Sequence, residues 1–326
     1  SSDLMNEGGR SFPSEVLSLG VAPNSKGTAM VVNAFTRVSA PDWIDQGDFA
    51  TFTDETDHGV PYIQGINYIG SQYEKRRSAG WSDARGGFGS SHSDYEGAVI
   101  AGNTFDFPAV HGESLMAAGY SFVSTSVKAV EQGVAKLEGY KVLDIIAGKQ
   151  KETKVGYGAY PSKYKLLSPA LMQAVENATK TGANVLLTGA YVASDVFDHQ
   201  SPNAEEVAFA KNVMGYVWGG SQASCKGEVY TIPTAVKQIP GYTDIKYNNE
   251  LSNKVYCVES PNSIFASDKL GMAFMRYTEN NRNAGIVSRR AGYSTAVLGF
   301  PFETIVSREV RDLLMKQILD FFASEN

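Results

Sequence analysis

The chain has 326 residues, of which 43% are apolar and 20% are charged, a balance typical of a folded globular protein and unlike that of a disordered one. Its net charge is −6 and its isoelectric point is near 5.4. Since it has no basic block to neutralise phosphates, a nucleic-acid partner is not expected. The apolar runs are too short to span a bilayer, so no membrane-spanning segment is predicted.

Residues 1–22 differ in pattern from the rest of the chain. Residues 6–11 are predicted to form a turn, and residues 12–18 a strand after it. This segment resembles the final hairpin of a fibronectin type III module, which implies a β-sandwich upstream. A plain N-terminal arm is the alternative. Residues 23–326 are predicted to form one α/β domain, which begins at a turn rich in Pro, Asn and Gly.

The α/β domain is predicted to open with a buried strand at residues 28–35, a short apolar run rich in β formers. The stretch after it, about residues 42–102, is rich in glycine and aromatic residues. It is predicted to be an ordered insertion with a helix near residues 66–77. Its aromatic side chains either stack on sugar rings or form a core of their own. Its acidic residues are interpreted as a solvated face and not as a calcium site.

Apolar runs then alternate with amphipathic segments, which predicts a doubly wound, mostly parallel sheet with helices on both faces. Further strands are predicted at residues 120–126, 141–147, 184–189 and 294–299. Helices are predicted at residues 110–118, 128–133, 169–181, 205–213 and 307–322, with Ser168 and Ser307 as N-caps, and a hairpin is predicted at residues 272–289. The strands at 28–35, 141–147, 184–189 and 294–299 are expected to share one sheet, because each is apolar enough for burial on both faces.

The strand at residues 184–189 runs into a sharp turn, Gly189-Ala190-Tyr191-Val192-Ala193, before a predicted helix. A strand, a tight turn and a helix form a nucleophile elbow, which raises one side chain toward backbone N–H donors. The segment resembles the G-x-C-x-G elbow of class I amidotransferases. That resemblance implies a flavodoxin-like sheet and places Tyr191 at the nucleophile position. A phenol with a pKa of about 10 is a poor acyl-transfer nucleophile, so the usual amidotransferase chemistry is not expected.

Four further stretches, residues 31–39, 101–112, 148–153 and 299–305, carry a second resemblance. They resemble Bacteroidetes surface proteins classed as xanthan lyases, some of which also carry fibronectin type III modules. The last stretch, with the helix after it, also resembles ThuA-like domains. The resemblance to the surface proteins covers about residues 28–322. It implies a secreted, periplasmic or cell-surface location and a poly- or oligosaccharide partner, with an acidic saccharide as one option.

Polar residues follow the predicted strands at the carboxyl edge, where open α/β sheets bind ligands. His111 is either a general base or a histidine hydrogen-bonded in a polar loop. Lys149 either stabilises developing negative charge or is solvated. Glu303 either binds ligand or pairs with Arg37, and Ser194 either acts in the chemistry or caps a helix. The predicted catalytic residues are His111, Tyr191, Lys149 and Asp106, and the predicted ligand-binding residues are Arg37, Asn103, Gln150, Ser194 and Glu303.

The four histidines lie at no metal-ligand spacing, so neither a metal nor a cofactor is predicted. Cys225 and Cys257 fit no zinc motif. They are either joined by a disulfide, as in an oxidising compartment, or are two unrelated thiols.

Two functions follow from these observations. The first is a glycan-binding surface protein on an amidotransferase-like frame that lacks the cysteine nucleophile. The alternative is a polysaccharide lyase or hydrolase, or a peptidoglycan amidase, that uses His111 and neighbouring polar residues. Convergence of His111, Asp106, Lys149 and Tyr191 in one pocket would favour the alternative.

Overall fold

In the computed structural model the described residues are 15–39, 42–48, 50–53, 99–100, 102–155, 160–233, 236–250, 252, 254–258 and 260–324, with the paired residues 5–6 and 9–10. The predicted helix at residues 66–77 lies outside the described residues, as do His58, His92 and most aromatic residues of the insertion.

The core of the fold is a ten-stranded mixed sheet. Its strands in chain order are β1 Leu19–Gly20, β2 Thr28–Asn33, β3 Ser121–Ser126, β4 Val142–Gly148, β5 Asn184–Gly189, β6 Glu228–Thr231, β7 Asp244–Lys246, β8 Gly271–Tyr277, β9 Asn283–Arg290 and β10 Tyr293–Leu298. Across the sheet they lie in the order β7-β6-β8-β9-β10-β5-β4-β2-β3-β1.

Five neighbouring strands, β3-β2-β4-β5-β10, run parallel to one another. Numbered by their own order in the chain, they lie in the order 2-1-3-4-5. The prediction that β2, β4, β5 and β10 share one sheet is therefore confirmed. At one edge β1 pairs antiparallel with β3, and at the other β9, β8, β6 and β7 extend the sheet antiparallel.

Helices cover both faces of the parallel strands: α1 Phe107–Ala117, α2 Val127–Glu131, α3 Pro169–Lys180, α4 Ser194–Phe197, α5 Ala204–Ala208 and α6 Arg308–Ala323. On one face, Leu115 of α1 and Ile318 of α6 join one apolar cluster. On the other, Val130 of α2 and Val175 of α3 join a second cluster. Burial on both faces explains why β2, β4, β5 and β10 are largely apolar. β3 is less apolar and only partly buried.

Serine side chains begin three of the helices. Ser126, Ser168 and Ser307 each accept a hydrogen bond from the backbone N–H three residues ahead, which satisfies a donor that has no partner inside the helix. The caps predicted at Ser168 and Ser307 are confirmed. Helix α1 begins at Phe107, before the predicted start, because Pro108 is compatible with the first turn of a helix.

Two segments differ from the prediction. The single helix predicted at residues 205–213 is α5 followed by a π-helical turn at Phe209–Met214, which ends at Gly215 with φ 85°. Residues 15–18 of the predicted N-terminal strand are not in a strand, and β1 follows them. Within the described ranges, no helix is both long and apolar enough to cross a membrane.

Short pairings complete the described fold: Met5–Asn6 with Gly9–Arg10, Val38–Ser39 with Val99–Ile100, Asp42–Asp45 with Ala50–Thr53, Thr153–Val155 with Tyr160–Lys163, and Tyr216–Gly220 with Ser263–Ala266. A 3₁₀ turn at Phe302–Thr304 leads into α6.

Candidate functional site at the carboxyl edge

The elbow predicted after β5 is present. β5 ends at Gly189 and α4 begins at Ser194. A Cβ atom added at Gly189 would lie 2.7 Å from the Cβ of Ala147, so the glycine allows the turn to pack against the end of β4. The N–H of Ala190 also donates to the carbonyl of Gly148 at 2.8 Å. The elbow therefore lies directly beside the carboxyl end of the central strand.

Tyr191 is the residue predicted at the nucleophile position of the elbow, and only 1% of its surface is exposed. Its hydroxyl has no hydrogen-bond partner among the described residues. The ammonium of Lys151 lies 4.8 Å from the centre of its ring. A hydroxyl becomes a nucleophile when a neighbouring base takes its proton, and no base contacts this phenol within the described part of the chain. The burial and contacts of Tyr191 thus give it no means of activation.

Two backbone donors of the elbow are already occupied. The N–H groups of Ala193 and Ser194 both donate to Oδ1 of Asn262, at 3.0 and 2.7 Å, and Asn262 is fully buried. Backbone N–H groups at such a turn stabilise a reaction oxyanion only when they are open to substrate. The Asn262 carboxamide therefore occupies both of these donors, which leaves them unavailable to a substrate oxygen. No sequence pattern identified Asn262 in advance.

Arg37 joins the ends of β2 and β4, the point where the parallel strand order reverses. Its Nε donates to the carbonyl of Lys149 at 2.9 Å. A terminal nitrogen donates to the carbonyl of Lys151 at 2.6 Å and to the hydroxyl of Thr153 at 2.8 Å. The guanidinium also lies 5.1 Å from the ring centre of Tyr164. Arg37 is buried, so these contacts make it an internal brace.

Three other predicted residues meet Arg37 at this point. Asn103 donates to the carbonyl of Arg37 at 2.8 Å. Gln150 accepts from the N–H of Thr36 at 2.9 Å and donates to its hydroxyl at 2.8 Å. Lys149 supplies the carbonyl that Arg37 contacts, and its side chain is buried. Arg37 and these three residues therefore lie together, but most of their polar groups form hydrogen bonds within the protein.

The remaining predicted residues near α1 and α4 make local contacts. Asp106 is partly exposed and accepts a hydrogen bond from the hydroxyl of Thr104. Ser194 is the first residue of α4 and does not cap it, because Ala193 is the N-cap residue. The Ser194 hydroxyl is buried and has no hydrogen-bond partner among the described residues.

His111 lies between two carboxylates under the parallel sheet, and His111, Asp144 and Glu303 are together called the His111 centre. Nδ1 of His111 lies 2.8 Å from Oδ2 of Asp144, and Nε2 lies 3.2 Å from Oε2 of Glu303. Both pairs have no solvent exposure. Tyr256 donates to the other carboxylate oxygen of Glu303 at 2.6 Å. The expected pairing of Glu303 with Arg37 is wrong, because the turn that carries Glu303 faces α1.

The electrostatics of this centre favour a protonated imidazole. Burial alone would lower the pKa of His111, but the charges and hydrogen bonds of Asp144 and Glu303 raise it to about 9. A protonated histidine with both nitrogens engaged has no lone pair with which to accept a proton. The geometry therefore assigns His111 a role in holding α1, β4 and the Phe302–Thr304 turn together.

A second cluster of ionisable side chains, partly open to solvent, lies beside the elbow. The sequence analysis did not predict that these residues meet. This edge cluster consists of Glu152, Lys165, Asp195, His199 and Glu206. Nζ of Lys165 lies 2.9 Å from Glu206, 3.4 Å from Glu152 and 3.8 Å from Asp195. It also donates to the backbone carbonyl of Asp195 at 2.6 Å. The side chains of Lys165, His199 and Glu152 are 25%, 33% and 28% exposed.

The carboxylates of the edge cluster have pKa values displaced in opposite directions. Burial raises the pKa of Asp195 and that of Glu206, although Lys165 acts against it. Partial burial also acts on Glu152, but the hydrogen bond from Ser162 and the charge of Lys165 leave its pKa below the ordinary value. One part of this cluster therefore holds protons more tightly than the other. The sequence feature that could have predicted this cluster is that Glu152 and Asp195 each follow the end of a parallel strand.

No set of three His, Cys, Asp or Glu side chains within the described ranges is arranged to hold a metal ion. Cys225 is exposed, Cys257 is buried, and the two do not form a disulfide. The alternative of two separate thiols is therefore the one found.

No family model matches the chain, and no curated protein matches it. A cytoplasmic protein of Salmonella typhimurium is similar over 91% of this chain and 99% of its own, at 14% identity and a TM-score of 0.44. A β-galactosidase of Halorubrum lacusprofundi is similar over 68% of this chain and 27% of its own, at 11% identity and a TM-score of 0.43. An α-L-fucosidase of Paenibacillus thiaminolyticus is similar over 70% of this chain and 31% of its own, at 10% identity and a TM-score of 0.37. The chain spans little more than a quarter of the β-galactosidases it matches. Such low scores and identities establish neither a family nor a shared activity.

Proposed function

We propose that the chain is a glycan-binding protein on an amidotransferase-like frame that lacks acyl-transfer chemistry. The observation that carries this proposal is the closed elbow, in which Tyr191 is buried and Asn262 engages two backbone donors. The frame is supported by the 2-1-3-4-5 order of the parallel strands, with the elbow after the fourth of them. A frame of this kind without a usable nucleophile suits binding better than acyl transfer.

The saccharide partner is supported by the sequence resemblance to polysaccharide-associated surface proteins and by the chemistry of the edge cluster. Sugar hydroxyls both donate and accept hydrogen bonds, and the partly exposed Lys165, His199 and Glu152 offer both kinds of partner. We place the glycan at this edge of the sheet, where ligands of open α/β sheets bind.

The proposed location is the cell surface, the periplasm or the extracellular medium, and it is inferred from the same resemblance. Because Cys225 and Cys257 do not form a disulfide, they give no support to an oxidising compartment.

A second function, hydrolysis of a polysaccharide, is favoured by one specific observation. Glu206 has a raised pKa and Glu152 a lowered one, and a carboxyl pair whose pKa values are pushed apart can divide the roles of acid and base. In this alternative Glu206 is the general acid, and Glu152 is the ionised carboxylate that acts as the base. The fully buried His111 has no catalytic role in this alternative.

Binding is tested with the purified protein on an array of neutral and acidic oligosaccharides, followed by calorimetry with the glycan that binds. Replacing Lys165 by Met or His199 by Ala should weaken binding about tenfold, the usual effect of losing a hydrogen bond to a charged group. Lys128→Ala, which removes an exposed charge on α2, is the matched control. Absence of any array signal, or equal affinity in all variants, would contradict the proposal.

The elbow is tested separately, through its reactivity. The wild-type protein and Tyr191→Phe should both lack glutamine hydrolysis. An activity in the wild type that disappears in Tyr191→Phe would restore the elbow as a catalytic site. For the second function, Glu152→Gln and Glu206→Gln should each abolish release of reducing ends from any oligosaccharide that the wild type degrades. Degradation unchanged in both variants would exclude this carboxylate pair.

A further inference from the structure

A cavity of about 540 Å³ lies at the opposite, amino edge of the parallel strands, within the size range of small-ligand sites. It is formed where β4, β5 and β10 begin and where α6 ends. The edge cluster follows the other ends of these strands, so the cavity is a separate place on the molecule. Its lining residues include Lys26, Tyr120, Lys141, Asn184, Arg289 and Phe322.

Three cations converge on this cavity in a protein whose net charge is −6. Lys26 donates to the backbone carbonyl of Ala118 at 2.9 Å. The exposed side chain of Lys141 makes no hydrogen bond or ion pair among the described residues. Arg289 donates to the carbonyl of Ser324 at 2.9 Å and to its hydroxyl at 2.5 Å. Within the described ranges, none of the three cations is paired with a carboxylate. Burial raises the pKa of Tyr120 and the nearby charge of Asp320 raises it further, but Asp320 pairs with Lys316. The cavity wall therefore carries an excess of positive charge.

The three cations do not contribute equally. Helix α6 ends at Ala323, and the carboxyl end of a helix carries partial negative charge. Arg289 contacts the residue after that end and lies 4.2 Å from the ring centre of Phe321. Its charge is therefore largely used to neutralise the helix end. Lys26 and Lys141 remain to attract an anion from solvent.

The rest of the lining suits a ring attached to that anion. Tyr120, Tyr293 and Phe322 supply aromatic surface. Asn184 uses its carbonyl oxygen to accept the N–H of Ser294 at 2.7 Å, while its amide group makes only a long contact of 3.4 Å with the carbonyl of Lys141. The amide is thus a further donor at the cavity wall. The apolar face of a sugar packs on aromatic side chains while polar groups hold its substituents.

We infer that this cavity binds a sugar bearing an acid group, either a carboxylate or a phosphate. Lys26 and Lys141 hold the acid group by charge-assisted hydrogen bonds, and the aromatic side chains contact the sugar ring. The inference does not depend on glycan binding at the edge cluster, because the two sites share no residue and lie at opposite ends of the strands.

Calorimetric titrations with glucuronate, glucose 6-phosphate and glucose test this site. The two acidic sugars define which acid group is preferred, and glucose is the neutral comparison. We expect an acidic sugar to bind and glucose not to bind, with affinity that falls as sodium chloride is added. Lys141→Ala should weaken binding about tenfold, and the double variant Lys26→Ala/Lys141→Ala should abolish it. Lys128→Ala, with the same loss of charge elsewhere, should bind like the wild type.

Three results would overturn the inference. They are no binding of either acidic sugar, equal binding of glucose, and unchanged affinity in the double lysine variant with an unchanged melting temperature. Failure of Lys165→Met to affect binding of the same ligand is expected, because Lys165 belongs to the other edge. This contrast separates the acidic-sugar site from the proposed glycan site.

Discussion

The His111 centre and the edge cluster contain the same kinds of side chain at different depths in one domain. In the His111 centre an imidazole with a raised pKa lies between two carboxylates with no solvent exposure. In the edge cluster a lysine lies among three carboxylates, and its side chain is 25% exposed. Low polarity strengthens interactions between charges in the first case, whereas water weakens them in the second. Access to solvent thus separates a structural brace from a site that a ligand can reach.

Removal of the buried His111 side chain is the strongest test of the difference between the two clusters. His111→Ala leaves Asp144 and Glu303 as buried carboxylates without their partner, so it should reduce the free energy of unfolding by about 3–5 kcal/mol. Urea denaturation followed by circular dichroism measures this change. Asp144→Asn combined with His111→Ala should cost less than the sum of the two single changes, because the stranded charge is then removed. A loss well under 1 kcal/mol in His111→Ala would show that the centre is not a structural brace.

Proton binding should make the same centre sensitive to alkaline pH. The pKa of His111 is raised from 6.5 to about 9 in the folded chain, so the folded state binds the proton more tightly. The resulting stability is fully present below pH 6.5 and is lost as the pH rises through about 9. The shift corresponds to about 3 kcal/mol. Unfolding free energies measured between pH 6 and 10 should fall in the wild type and fall less in His111→Ala. Equal pH profiles would contradict the assignment.

Lys165→Met tests the edge cluster, which is partly exposed to solvent. The change removes the positive charge that lowers the pKa of Glu206 and Asp195, so both pKa values should rise further. Stability should fall by about 1–2 kcal/mol, since Asp195 keeps two backbone donors, the N–H groups of Glu152 and Leu166. Carboxyl titration by NMR measures the pKa values. A lower pKa of Glu206 in this variant would contradict the described contacts.

Glu152→Gln should have the smallest effect on folding. Its ion pair with Lys165 is 3.4 Å long and partly exposed, and such pairs contribute less than about 1 kcal/mol. Thermal denaturation should therefore distinguish it from His111→Ala by several degrees. A destabilisation as large as that of His111→Ala would mean that the two clusters do not differ in the way their exposure suggests.

The sequence predicted four of the parallel strands, β2, β4, β5 and β10, because each is a largely apolar run, and it predicted the helix starts where a serine precedes the helix. The elbow was also foreseen, from the spacing of Gly189 and Tyr191. The His111 centre was only half foreseen. His111 and Glu303 were named, but they lie 192 positions apart, and Asp144 lies within a strand whose other residues are apolar. Such pairings depend on which faces the fold brings together, which local patterns do not encode.

Asn262 and Lys165 were missed for the same reason. Asn262 contacts the elbow from a position 68 or 69 residues away, and nothing in its neighbours marks it. Lys165 gathers carboxylates from the end of β4, from α4 and from α5. The π-helical turn at Phe209–Met214 was likewise hidden, because its composition differs little from that of an ordinary helix.

Both edges of the ten-stranded sheet end in very short strands, β1 with 2 residues and β7 with 3 residues. Long unpaired edges recruit strands from other chains and lead to aggregation. In β7 the buried Ile245 lies between exposed Asp244 and Lys246, so an added strand would have to desolvate charges of both signs. Within the described residues, the two ends of this wide sheet therefore offer little backbone for pairing with a strand of another chain.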